Sequence, residues 1–536
     1  MEAVDGSAAG AQSGTAAQPG AGAQPGAWLE RKRWAWLACV ALAVFAFAPV
    51  LRGYYLHTDD YFWSPYGGFT AGEILNFMTM VGRPLAGVLF WAFSRWPGGM
   101  SSMNVLRLVS VINLACIAYM YFRWLRIWKL APLAALGIAI VAITQPAFQT
   151  YAAYLCTGVY GFAFTLGAVG TLMTHHAIET AEPRRRRRRF AIAALAWLAS
   201  AAIYQPAPFL VFALLAVPLL VTEPAELWAR WRGPALRYAA VFAAALATYY
   251  VLWRIWARFA TLAYLGKYDN RALLHTEQIP ERVHWFVHGV LLDAMSFWKM
   301  FPSPVIQVAT VAVAGLCALA DFDRRAPGRW LAKYAVIAAT GVACFAPSLL
   351  SAGPSLEYRT YAAVSTFWVM VVLVGAVRAL ARLGGAPARA AAAACIALAL
   401  VGMLWAGKTV TDFFAAPDGL EFLRVRHELT AFQKAHPGAP IRYVHVIPTP
   451  TALVVQRERH EFAEPSVRHP PNIRPIVLAA LAERGIRDRP RITVQTGERW
   501  VEWGDRLSGM QLTSHEVAPS EPAKTVVVDM RDLVLY

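Results

Sequence analysis

The chain has 536 residues, of which 57% are hydrophobic and only 15% charged, and its mean hydropathy is +0.41. A soluble protein carries about 25% charged residues, whereas apolar runs long enough to cross a ~30 Å hydrocarbon core recur here from Trp34 to Lys408. That excludes a soluble enzyme and a single-span receptor. The formal charge of +17 does not point to nucleic acid: from Thr409 onward 16 basic residues meet 16 acidic ones, and the excess, 34 against 17, lies among the apolar runs. Basic residues there orient helices in a membrane.

Residues 1–30 read as a disordered cytoplasmic leader, rich in Ala, Gly and Gln and without a basic residue. Arg31-Lys32-Arg33 arrive too late for a signal peptide, so the first apolar run is expected to stay as a helix. Spans are predicted at 34–51, 103–122, 131–149, 152–175, 190–204, 207–222, 238–256, 303–320, 334–350, 360–380 and 390–408. One set of alternate connections holds 22 Lys and Arg, the opposite and much longer set only 9. By the positive-inside rule this gives eleven spans with the N-terminus cytoplasmic and the C-terminus outside. The run Arg184–Arg189 could bind lipid headgroups or nucleic acid, but it is read as a topological anchor between two helices. The six cysteines all fall in apolar runs with no CxxC or Cys/His spacing, so no disulfide framework or zinc site is readable.

Three outside segments exceed mere connectors: 52–102, 257–302 and the region from 409. In the first, Arg83–Trp96 is apolar but too short to span. It is expected to form an interfacial or re-entrant helix behind an amphipathic piece, Thr70–Met80. The last region reads as helix at Leu420–His436 and Asn472–Arg484, with strands at Ile441–Ile447, Arg491–Gln495 and Thr525–Val528. The expected organisation is a transmembrane domain over 31–408 and a small extracytoplasmic α/β domain over 409–536.

Candidate chemistry gathers in the outside segments. His57-Thr58-Asp59-Asp60-Tyr61-Phe62-Trp63 follows the first span, and carboxylates at a membrane surface are partly desolvated, which raises their pKa toward that of a useful base. An ordinary helix-capping or solvated pair reads the same way. Gly82-Arg83-Pro84-Leu85 adds a guanidinium, suited to a forked grip on phosphate or to anchoring at the interface. Glu357-Tyr358-Arg359 precedes the tenth span, either binding an anion or balancing its own charges. Lys267, Asp269, Arg271, His275, Glu277 and Arg282 line the second outer loop and fit a phosphate or sugar site without specifying one.

A first span, Asp59-Asp60 in the first outer loop, amphipathic helices behind it, many further spans and an outer C-terminal domain resemble the GT-C superfamily of integral-membrane glycosyltransferases. With Gly82-Arg83-Pro84-Leu85 some twenty residues on, the pattern is most similar to the serotype-converting O-antigen glucosyltransferases. Members of that family often carry a basic residue just after the acidic pair, where this chain has Tyr61-Phe62-Trp63-Ser64. The resemblance implies an all-α polytopic GT-C-like fold and an inverting hexosyltransferase in the bacterial inner membrane. Its donor would be a polyprenyl-phosphate-linked sugar and its acceptor a surface glycan such as O-antigen of lipopolysaccharide. By the same resemblance Asp59 is the base and Asp60 supports it or binds sugar. Arg83 and Arg359 would hold the carrier phosphate, and Tyr61, Trp63 and Tyr66 stack on sugar or anchor at the interface; Glu357, Lys267 and Arg271 are read from their own loops as further substrate-binding candidates. No cofactor is expected: adjacent carboxylates suit Mg²⁺ or Mn²⁺, but arginine at the leaving phosphate makes a metal unnecessary. The rival from another class is a transporter or flippase of lipid-linked sugars, which would carry midplane ionisable residues and internal repeats; a non-catalytic scaffold is the third reading.

Overall fold

The computed structural model describes residues 27–531 except 58, 68, 97–98, 260–275, 300–302, 352–357, 449–469, 487–489, 497–498, 509–510 and 518–524. The leader expected at 1–30 lies outside them up to Gly26, and its last four residues are ordered rather than disordered: Ala27–Glu30 is a 3-10 helix with Leu29 buried and Glu30 2.7 Å from Arg126. Every predicted span folds as helix, from Lys32–Ala46 through Met103–Ile127, Leu155–Ile178, Pro183–Ile203 and Leu227–Phe259 to Gly385–Val410. Several of these long apolar helices embed the chain in a membrane. By length and apolarity alone, five among the described residues suffice to cross it, or six if one bent pair is a single span. Others are shorter, as Lys32–Ala46 with 15 residues, or begin with charged turns, as Pro183–Ile203 does with the arginine run.

Two predicted spans depart in opposite ways, one broken and one prolonged. The run expected at 131–149 divides into Pro132–Ile143 and Pro146–Ala153, bent by 67°. Pro146 has no N–H to donate, and the residue before a proline avoids the helical region; Gln145 sits at ψ 154°. The short second piece then hands over to Leu155–Ile178. At the other extreme, the last span does not stop at 408. Gly385–Val410 continues through a π-helical turn, Thr411–Ala415, into Ala416–Ala435, giving 51 helical residues without a break.

Helices in lipid pack through small residues and internal polar bonds rather than a hydrophobic force. Leu155–Ile178 and Pro183–Ile203 illustrate this: a Cβ on Gly170 would come within 2.6 Å of the Trp197 ring. Trp197 Nε1 donates to the Gly167 carbonyl at 3.2 Å, and Ser200 Oγ to that of Ala163 at 2.7 Å. At the end of the bundle bearing the arginine run, a charged cluster ties four helices. Lys333 Nζ donates to the carbonyls of Leu220 and Thr222 at the end of Leu210–Val221 and sits 2.5 Å from Asp321. Arg382 bridges Asp321 and Glu223 at 2.7 Å each, and Arg378 joins Glu223 at 2.7 Å.

The C-terminal region builds a five-stranded sheet in the order β4-β3-β2-β1-β5. The strands are β1 Tyr443–Ile447, β2 Arg491–Thr496, β3 Arg499–Ser508, β4 Gln511–Val517 and β5 Thr525–Asp529. β1 runs parallel to β2 and β5, while β2, β3 and β4 are antiparallel. Pro470–Glu483 is the crossover helix between β1 and β2, as parallel pairing requires. The β3–β4 hairpin is an addition to the strands expected from sequence.

Candidate functional site

One segment, Pro146 to Tyr160, gathers the motifs of the segment 52–102. Because the chain breaks at Tyr154, the first N–H groups of the Leu155–Ile178 helix lack intrahelical acceptors. Asp60 supplies them: its Oδ1 accepts from Cys156 N at 2.7 Å and its Oδ2 from Leu155 N at 3.1 Å. Oδ2 also accepts from His57 N at 3.2 Å, closing the turn that opens the Asp59–Trp63 helix. Asp60 is fully buried, and burial pushes its carboxyl up to about 6 against the pull of the Cys156 N–H, His57 and Arg107. Asp59 begins the same short helix one residue earlier.

The loop before this helix is clamped from below. Arg107, one turn inside Met103–Ile127 and fully buried, donates to the carbonyls of Gly53 (3.3 Å) and Tyr55 and lies 3.9 Å over the Tyr55 ring. Tyr55 in turn donates its hydroxyl to the Ala153 carbonyl at 3.0 Å.

Arg83 reaches the same helix one turn further along. Gly82 turns the chain at φ +77°, a left-handed conformation that favours glycine, and an added Cβ would meet Gln205 Nε2 at 2.5 Å. The turn is held by Gln205 Nε2 on the carbonyls of Val81 and Gly82, Tyr249 on that of Gly82, and Trp253 on that of Thr79. Arg83 Nη1 donates to Tyr160 Oη at 2.8 Å and Nε to Gln205 Oε1 at 3.2 Å. Its guanidinium lies 4.8 Å from the centroids of both Tyr160 and Tyr204, two rings stacked on each other at 4.5 Å. Among the described residues no carboxylate pairs with it. Cys156 and Tyr160 are four residues apart, about 6 Å along a helix, so Asp60 and Arg83 are brought to neighbouring turns.

Arg359 joins the same region by its backbone, accepting from Tyr151 Oη in the Pro146–Ala153 helix. Tyr61 and Trp63 are 1% and 5% exposed, and neither presents a face for a sugar. Trp63 instead packs on Phe69, Phe77 and Phe90, and Phe90 on Tyr160, locking the Asp59–Trp63 and Pro84–Ser94 helices to Leu155–Ile178. Tyr66 is half-buried. The Pro84–Ser94 helix and the preceding Ala71–Met80 helix, the latter with a Thr70–Glu73 capping box, match the two outer-loop helices expected. Glu357, Lys267 and Arg271, like Asp269 and His275, lie outside the described residues.

No protein-family model, curated protein or solved structure matches the chain.

Sequence reasoning missed the partners that make this a site: Arg107, Tyr160, Tyr204, Gln205, Tyr249 and Asp418, whose Oδ2 lies 2.8 Å from His57 Nδ1. Arg107 carried a signal, a charge inside a predicted span, and Tyr204-Gln205-Pro206 marked the gap between two spans. Asp418 carried none. Chemically, the arrangement offers a carboxylate-bearing turn at a helix N-terminus and, on the next turn of that helix, a tyrosine holding an arginine that meets no acid among the described residues. Among the described residues no three His, Cys, Asp or Glu side chains converge as metal ligands.

Proposed function

We propose that this protein is an inverting, GT-C-like membrane hexosyltransferase moving a sugar from a polyprenyl-phosphate carrier to a surface glycan. In this reading the acidic-pair end faces the periplasm, the arginine-run end the cytoplasm, and the membrane is the bacterial inner membrane, crossed eleven times. The observation that carries it is Arg83. It is pre-positioned by two tyrosines and a glutamine, carries no acidic partner among the described residues, and bonds Tyr160 on the helix whose Leu155 and Cys156 amides hold Asp60. An un-neutralised, oriented guanidinium suits a phosphate oxygen.

Asp59 is the general base. Asp60, committed to the Leu155 and Cys156 amides, positions it. Asp59 takes the proton of the acceptor hydroxyl as that oxygen attacks the anomeric carbon from the face opposite the phosphate. The bond between anomeric carbon and phosphate oxygen breaks, and its electron pair leaves on the lipid phosphate. Arg83, with Arg359 nearby, stabilises that charge as it develops. No metal or other cofactor is invoked.

The transporter reading has one observation in its favour. The helix broken at Gln145 carries buried Gln145 and Gln149, and discontinuous helices line transporter sites. Both readings meet one experiment in liposomes holding polyprenyl-phosphate hexose and a glycan acceptor. Asp59→Asn cannot accept a proton and is expected to cut transfer roughly 10²–10⁴-fold, with donor binding retained. Wild-type protein that moves the donor across the bilayer without forming product refutes the transferase reading, as does an Asp59→Asn variant at the wild-type rate.

A further inference from the structure

The C-terminal region reaches into the site. Asp418, in the first turn of the Ala416–Ala435 helix, sets Oδ2 2.8 Å from His57 Nδ1, and both side chains are 1% exposed. The imidazole is enclosed edge-on by Tyr154 at 4.9 Å and Phe414 at 4.7 Å. Facing a carboxylate, Nδ1 carries the proton, which fixes the tautomer and the plane of the ring. His57 is also the start of the turn that aims Asp60: its N–H donates to Asp60 Oδ2, and its carbonyl accepts Asp60 N at 2.7 Å. Glu421, three residues beyond Asp418, is likewise buried, within electrostatic reach of Tyr61 in the Asp59–Trp63 helix.

A second contact docks the region at the rim. Glu483, ending the Pro470–Glu483 helix, accepts from Tyr54 Oη at 2.6 Å and from Met100 N at 2.9 Å. The two contacts differ in kind. Glu483 holds Tyr54 and Met100, outside that turn, whereas Asp418 grips the turn that carries the acidic pair.

We propose that Asp418 is a positioning residue for the reaction: through His57 it fixes the turn that presents Asp59 and Asp60. The C-terminal region thereby completes the site rather than merely covering it. This rests on the transferase reading above, so its test pairs an activity readout with one independent of activity.

Asp418→Ala, Asp418→Asn and Glu483→Gln are made in the full chain in liposomes. Misplacing a reacting group by about 1 Å costs on the order of 10²-fold. Asp418→Ala is therefore expected to lose about that much in kcat, with KM for the polyprenyl-phosphate hexose unchanged. Asp418→Asn, which keeps an acceptor for Nδ1–H, recovers most of it, and Glu483→Gln stays at the wild-type kcat. In parallel, amide exchange in the peptide containing His57 and Asp60 should accelerate in Asp418→Ala and not in Glu483→Gln. An Asp418→Ala variant with wild-type kcat, or a loss shared equally by Glu483→Gln, overturns the proposal. If the wild-type protein transfers no sugar, the exchange experiment still decides: unaltered protection in Asp418→Ala overturns the positioning role. Should Asp418→Ala not accumulate in membranes, His57→Gln takes its place in both measurements: lost kcat with faster exchange supports the role, and wild-type kcat or unaltered protection overturns it.

Discussion

At one end of the bundle, Lys333, Arg378 and Arg382 meet Asp321 and Glu223 in a mesh in which every cation touches a carboxylate. At the opposite end of the same bundle, Arg83 touches two tyrosines and a glutamine, and Arg107 donates to backbone carbonyls. Both ends bury charge between several helices, yet at the second Arg83 meets no carboxylate among the described residues. A self-neutralised cluster fixes helices to one another and has nothing left to offer a ligand. An arginine oriented by neutral groups is held just as firmly but keeps its charge for something that arrives from outside.

That contrast breaks most readily at Lys333. Removing one member of a buried charged network leaves its partner uncompensated, at a cost of roughly 3–5 kcal/mol. Lys333→Met is therefore expected to lower the melting temperature strongly in detergent, while turnover per folded molecule stays at the wild-type level. A variant that keeps its stability but loses turnover would erase the distinction between the two ends.

A smaller effect lies in the pH dependence of the other end. Asp60 is raised from its ordinary 3.8 to about 6 by burial, so the folded protein binds that proton more tightly than the unfolded chain. Its contribution is fully present below the unfolded value and is lost as pH rises through about 6. At about 1.4 kcal/mol per unit, the loss is on the order of 3 kcal/mol. Melting curves of the wild type and Asp60→Asn between about pH 4 and 7 should therefore diverge, the wild type falling and the variant staying flat for this contribution. Parallel curves would mean that Asp60 does not titrate in that window.

The smallest expected effect sharpens the role of Arg83. Tyr160→Phe keeps the ring beneath the guanidinium and removes only the hydroxyl that receives Nη1. A hydrogen bond to a charged group contributes about 1.5 kcal/mol, so donor affinity should weaken roughly tenfold with the fold intact. Unchanged affinity would assign the orientation of Arg83 to Gln205 and the stacked rings alone.

Much of the helical architecture was legible because apolar run length is a local signal, and the span boundaries that failed did so at local punctuation. Pro146 broke the third run, and continuous helical pairing through Thr411–Ala415 fused the last span to Leu420–His436. In the C-terminal region, the strands at 441–447, 491–495 and 525–528 were readable from their β-branched alternation. The β3–β4 hairpin was not, because its register shifts between Trp503 and Leu507 and breaks the alternation. At the site, Asp59-Asp60 and Arg83 stood out by residue type beside a membrane. What gives them their surroundings is long-range: Arg83 finds Tyr160 77 residues away and His57 finds Asp418 361 residues away. No local pattern encodes such a meeting. Trp63, offered by the sequence as a stacking surface, is instead buried packing between helices.

The unbroken Gly385–Ala435 helix adds a mechanical consequence. At 1.5 Å per residue its 51 residues form a rod about 77 Å long, with one part in lipid and Asp418 on the part beyond it. Tilt or vertical travel of the apolar part reaches Asp418 through the π-helical turn Thr411–Ala415. The register is angular as well as axial, since one residue inserted in the rod would turn Asp418 by about 100° and lift it about 1.5 Å. The bilayer, by setting how that rod sits, is in effect a gauge block for the turn that His57 and Asp60 form.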